Sequence, residues 1–305
     1  MRATVAGAPV SFGVFELTPQ GAQTVTADDL GEALQRAQYR GIDLGPVGFL
    51  GTGSGLRNRL RRFDLELAGG WIQLPFSDDA AFAASLPGLR ETLRIFSDAA
   101  ELGPDRLPLP TLADAGSPAR VSHPGRGEEV DPVAADAVRR LHENVQRAAG
   151  IVREAGFEPT FHHHAGTLVE SPAEVDAFLA GTDVGLTLDT GHLLIAGGDP
   201  VGAVRRWGPR INHLHLKDVD AAALARVLAG GGGMPEVWSS GCFVALGRGD
   251  IDLAGVMAAV DAENYDGWIV VEQDVLNPPD IAIDAFLAQR VADQIINRAS
   301  LRTWA

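Results

Sequence analysis

Six of the chain's eight histidines fall between positions 162 and 215, beside acidic residues at the ends of short apolar runs. The runs are FHHHA at 161–165, LTLDTGH at 186–192, HLHLKD at 213–218 and WIVVEQD at 268–274. Imidazoles mixed with carboxylates suit Mn²⁺, Co²⁺, Fe²⁺ or Zn²⁺ better than Ca²⁺. Such an ion polarises carbonyl groups and stabilises the negative charge that develops on their oxygen. If each run is a strand, side chains two apart share a face. His162 then points with His164, Asp189 with Thr187, His213 with His215 and Lys217, and Glu272 with Asp274. One face from each strand therefore aims a His, an Asp, a His and a Glu at a common centre. Any one of these residues alone is more simply a hydrogen-bonded group at a strand end. Four of them on four consecutive strands would be costly to bury without an ion or partners.

Other residues carry two readings each. Lys217 and His192 are substrate-binding or proton-transfer groups, or else solvated residues at the loop edge. Trp71, after two glycines, stacks on the apolar face of a sugar or packs in the core. Arg248, among the glycines of ALGRGDIDL (245–253), belongs to a phosphate cradle or to a plain turn in which Asp250 caps the next helix. The GGGG run at 230–233 reads as a flexible loop.

Positioning these residues requires alternating strands and helices. Strand-like runs lie at 4–12, 41–46, 64–76, 106–113, 157–165, 184–192, 211–219 and 267–274. Helical periods occupy 27–39, with Thr26 or Asp28 near the cap, then a short stretch before Arg62, 80–101, and 132–155, closed by Gly156. A final helix spans about 280–299, and the polar, Gly- and Pro-rich stretch 114–130 reads as a long loop. Eight βα units predict a single (β/α)₈ TIM-barrel domain over residues 1–305, with strand C-termini at the active-site mouth. No GxGxxG follows the first strand to favour a dinucleotide fold.

The 305 residues carry 40 acidic and 25 basic side chains, a net charge of −15 that argues against a nucleic-acid partner. Cys242 is the single cysteine, so no disulfide forms within the chain. The N-terminal segment, broken by glycines and Pro9, lacks the apolar stretch of a signal peptide, and no run approaches a membrane span. A cytoplasmic protein is expected, with homo-oligomers compatible.

FHHHAGTLVESPAEVDAFL, LTLDTGHLLIAGGDP, HLHLKDV, LGRGDIDL and GWIVVEQD resemble the xylose isomerase-like TIM-barrel superfamily of sugar phosphate isomerases and epimerases. GAPVSFGVFE, IDLGPVGFL and GGWIQLPF extend the similarity through the first half, and HHHAGT with DTGHLLIAGGDP is similar to the inosose dehydratase branch. The resemblance implies a divalent metal, Mn²⁺ or Co²⁺ first with Zn²⁺, Fe²⁺ and Mg²⁺ also compatible, on His162, Asp189, His215 and Glu272. On such a site Glu272, His164 or Lys217 are the expected proton-transfer groups, with His192, Trp71 and Arg248 expected beside the substrate. Many relatives have Glu where this chain has the HHH run. That difference removes one charge from the metal and one carboxylate from the usual acid/base pair. The implied reaction is dehydration of a keto-inositol or related keto-sugar through an enediolate. The alternatives are a ketose or keto-inositol isomerase or epimerase, and a keto-glycoside-cleaving lyase acting with a partner subunit.

Overall fold

The structure is a computed structural model that describes residues 3–15, 23–102 and 106–304. Parts of the N-terminal segment inspected above for a leader lie outside the described residues. Eight parallel strands close into a barrel: β1 (Thr4–Gly7), β2 (Gly41–Asp43), β3 (Glu66–Leu74), β4 (Leu109–Asp114), β5 (Thr160–His162), β6 (Gly185–Asp189), β7 (Ile211–Leu216) and β10 (Trp268–Val271). Between the last two, β8 (Asp218–Val219) and β9 (Phe243–Val244) pair antiparallel as a separate ribbon. Strand β10 hydrogen-bonds both β1 and β7, which completes the ring.

Most of the predicted strands are longer than those observed, and at three of them the structure shows what ends the ladder. After β1, Pro9 lacks an N–H and opens a 3₁₀ turn, Pro9–Phe12. After β6, Asp189 accepts hydrogen bonds from the Gly191 and His192 N–H groups and starts the helix Thr190–Ile195. After β7, the chain leaves the barrel to make the ribbon, an element that alternation alone did not reveal. The stretch 114–130 holds two short helices, Pro118–Val121 and Gly127–Val130. The helix Ala27–Arg36 is capped by Thr26, which exchanges hydrogen bonds with Asp29 in a capping box. The helix Ala135–Glu154 buries Leu141, Val145, Ala148, Ala149 and Val152 at helical spacing.

Inside the barrel the side chains change from carbon to heteroatoms along the strands. Ala6, Ala68, Trp268 and Val270 form a small apolar cluster of their own. Trp268 is fully buried, and Gly41 leaves it room, since a Cβ there would come within 2.5 Å of the indole. One step further along, Thr160 and Thr187 share a 2.8 Å hydrogen bond. Beyond them, at the strand ends, stand the imidazoles and carboxylates.

Candidate active site

His162, Asp189, His215 and Glu272 converge from β5, β6, β7 and the end of β10. Each offers one ligand-type atom, and the four atoms lie within 4.8 Å of one another. His162 Nε2 is 3.4 Å from Asp189 Oδ2, and His215 Nδ1 is 3.0 Å from Glu272 Oε2 and 3.9 Å from Asp189 Oδ2. Tetrahedral ligands about 2.1 Å from an ion stand about 3.4 Å apart, so these spacings fit a small divalent cation. His162 Nδ1 lies 2.5 Å from the His163 carbonyl, which makes it the protonated nitrogen and leaves Nε2 with its lone pair toward the centre. His163 faces the other way, and its Nε2 accepts from the Asp189 N–H at 3.2 Å.

Lys217 brings a fixed positive charge into the same site. Its Nζ lies 2.6 Å from both Asp189 Oδ2 and Glu272 Oε2, and 3.3 Å from Asp274 Oδ1. Burial opposes that charge, but Asp189, Asp274 and Glu272 outweigh it and hold the ammonium well above its ordinary value. Burial also opposes ionisation of Asp189 and Glu272. For Asp189, Lys217 with His192 and His162 overcomes it, and for Glu272, His215 and Lys217 do so. Both carboxyls are therefore held below their usual range, as metal ligands require. His164 and His192, fully desolvated, are driven well below the usual imidazole value and stand neutral. Burial pushes the Asp274 carboxyl up to about 7 against the pull of Lys217.

Three of the quartet face a cavity of about 390 Å³, of the size that holds small metabolites, with Asp189 fully buried behind them. Trp71, His164, Lys217 and Asp274 line it alongside His162, His215 and Glu272. Trp71 packs in T-shaped geometry against His162 and His164, with ring centroids 5.3 and 5.2 Å away. His164 Nδ1 lies 2.7 Å from the Ala165 carbonyl, which leaves Nε2 free as an acceptor. Two expected substrate contacts lie elsewhere. His192 is fully buried behind His164, its ring 3.6 Å away, because it sits in the first turn of the helix that Asp189 caps. Its Nε2 is 3.4 Å from Asp274 Oδ2.

Arg248 is exposed and outside the cavity. The glycines around it wrap Asp218, whose carboxylate accepts from the N–H groups of Val219, Gly247, Gly249 and Ile251. A Cβ at Gly249 would lie 2.3 Å from Asp218 Oδ1, so the motif serves a carboxylate within the fold rather than a phosphate. The next helix, Leu253–Ala262, is capped by Asp252. Asp250 instead accepts from the Ala221 N–H.

Asp274, Asp114, Arg120 and Glu170 received no role from sequence. Asp274 was visible as the residue aligned with Glu272. Asp114 lines the cavity, and its Oδ1 accepts from Gly116 and Leu168 N–H groups. Burial raises the Asp114 carboxyl to about 6, with those backbone donors opposing. A raised acid contributes stability below its unfolded value, near 3.8, and loses it as pH climbs through about 6. Asp114→Asn keeps the acceptor and removes the buried charge. The variant is expected to be more stable than the parent at pH 7.5, by at most about 3 kcal/mol, with the gap closing at pH 4.5. Melting temperatures at the two pH values check this, and an equal gap at both would contradict it.

A closed parallel barrel with ionisable groups gathered at its strand C-termini defines the class: a (β/α)₈ barrel with a candidate metal centre at the active-site end. Residues 12–290 match the family model described as xylose isomerase-like TIM barrel, and the chain belongs to that family. It is 31% identical to an inosose dehydratase of Geobacillus kaustophilus (strain HTA426), over 88% of this chain and 86% of that protein. It is 30% identical to the rhizopine catabolism protein MocC of Rhizobium meliloti, over 90% of this chain and 82% of the relative. Among solved structures, the probable 3-DHS dehydratase AsbF from Bacillus anthracis superposes with a TM-score of 0.66 at 15% identity, covering 94% of this chain and 97% of AsbF. Among the described residues no helix is long and apolar enough to cross a membrane.

Proposed function

We propose that this protein is a divalent-metal-dependent lyase that removes water from a keto-inositol, with 2-keto-myo-inositol as the reference substrate. One observation carries the reading. The His162, Asp189, His215 and Glu272 quartet opens beside a neutral, cavity-lining His164, in a chain 31% identical to an inosose dehydratase over most of its length. A Mn²⁺ or Co²⁺ ion held by the quartet would supply Lewis acidity, making the C–H beside a substrate carbonyl more acidic.

The chain's own groups do the rest. His164 Nε2 takes the proton from the carbon next to the carbonyl, since its imidazole is neutral and its Nδ1 is committed to the backbone. The Lys217 ammonium stabilises the negative charge that develops on oxygen. Asp274, raised to about 7, hands a proton to the departing hydroxyl. One C–H and one C–O bond break, a C=C bond forms, and water leaves. Trp71 packs against the two imidazoles. This chemistry is assigned to the cytoplasm.

The test is 2-keto-myo-inositol turned over by Mn²⁺- or Co²⁺-loaded protein and followed by mass spectrometry. A product lighter by one water supports the dehydratase. A product of unchanged mass makes the protein an isomerase or epimerase. His164→Gln is expected to lower kcat by roughly 10²- to 10⁴-fold with metal content unchanged. An unchanged kcat would remove His164 from the mechanism.

A further inference from the structure

Above the strand ends the cavity changes character. Its walls come from the loops that follow β1 and β4 and from the segment between β8 and β9, and they present Phe15, Val121, Met234 and Trp238. Met234 and Trp238 sit on the short helix Met234–Ser239, and the Phe15 and Trp238 rings pack 5.5 Å apart. Of the polar groups on the same walls, Thr167 and Asp114 are engaged within the fold, while the Trp238 indole N–H has no hydrogen-bond partner among the described residues. Thr167 Oγ1 donates to the His164 carbonyl at 2.8 Å, and Asp114 Oδ1 holds the Gly116 and Leu168 N–H groups.

The wall at Val121 is also fixed in place. Its neighbour Arg120, with a fully buried side chain, is bonded to Glu174 and to the carbonyls of Thr167 and Asp131. Glu170 accepts from the N–H groups of Gly125, Gly127 and Gly166, tying the same loop to the end of β5. Such a wall does not rearrange to meet a new hydrogen-bonding group.

An unsubstituted cyclitol carries oxygen on every ring carbon. With the ring's carbonyl side at the quartet, hydroxyls on the far side would press against carbon. Each hydroxyl that loses water without gaining a partner weakens binding. A hydrocarbon substituent in that position strengthens binding with each CH₂ it buries.

We infer that the preferred substrate is a keto-cyclitol or keto-sugar bearing an apolar group on the side away from the metal-ligating residues. Phe15, Val121, Met234 and Trp238 form its specificity pocket. The inference rests on the site assignment above, but its test needs no turnover. Binding of myo-inositol and of a mono-O-benzyl ether of myo-inositol to Mn²⁺-loaded protein would be compared by titration calorimetry. The expected result is at least a tenfold lower Kd for the ether, narrowed in Val121→Asn, which places an amide on the wall. Equal or weaker binding of the ether would overturn the inference, as would a preference untouched by Val121→Asn. Neither outcome depends on whether 2-keto-myo-inositol loses water, so failure of the proposed reaction remains a separate result.

Discussion

Chelation is expected to abolish turnover of 2-keto-myo-inositol, and Mn²⁺ or Co²⁺ to restore it. His162→Ala and Glu272→Gln are each expected to leave about 10³-fold less activity even in excess metal. The two substitutions act differently. His162→Ala removes the Nε2 that faces Asp189 Oδ2 and the ring that rests on Trp71. Glu272→Gln nearly preserves shape but removes a negative charge and one anionic contact of Lys217. The amide also cannot accept at every position where the carboxylate did, so the ammonium is left to Asp189 and Asp274. Metal analysis of dialysed protein should fall from about one ion per chain to near zero in both variants. Full activity after chelation, with both variants behaving as the parent, would sink the metal-centred reading and leave the barrel intact.

Arg120→Ala is expected to be the most damaging substitution away from the quartet. The side chain has no exposure, and its guanidinium serves Glu174 Oε1 and the carbonyls of Thr167 and Asp131. Removing one partner of a buried ion pair strands the other and typically costs about 3–5 kcal/mol. In a chain of this length that corresponds to a fall in Tm of roughly 5–8 °C. Arg120→Lys should recover little, because a single ammonium cannot reproduce the planar fork that reaches three acceptors at once. Differential scanning calorimetry checks both variants. A shift under about 1 °C for Arg120→Ala would mean that the loop over the cavity is held by other contacts, Glu170 first among them. The wall at Val121 would then no longer count as rigid.

Much of this arrangement is readable along the chain because it is local. A period of two puts His162 and His164 on one side of the run 161–165 and His163 on the other, and the contacts agree although β5 itself ends at His162. His162 faces Asp189, His164 lines the cavity, and His163 accepts an N–H from outside. The same rule places His213, His215 and Lys217 together, and Glu272 with Asp274. Eight alternating units likewise indicate a barrel, since parallel strands need crossovers and apolar runs of this length need both faces covered.

The remainder depended on interactions between segments distant in the chain. His192 looked like a strand-end residue, but Asp189 ends its strand and caps a helix, which turns the imidazole into the interior. Arg248 among its glycines offered a phosphate cradle or a plain turn. Those glycines exist because Asp218, about 30 residues earlier, needs their N–H groups and the space of their missing side chains. Arg120 and Glu170 sit in polar, loop-like stretches that carry no periodic signal, yet they hold the cavity wall. Periodicity reports which side of its own strand or helix a residue occupies. It carries no information about which distant carboxylate that residue will meet, and those meetings decide where the ladders stop, which charges are paired and what lines the cavity.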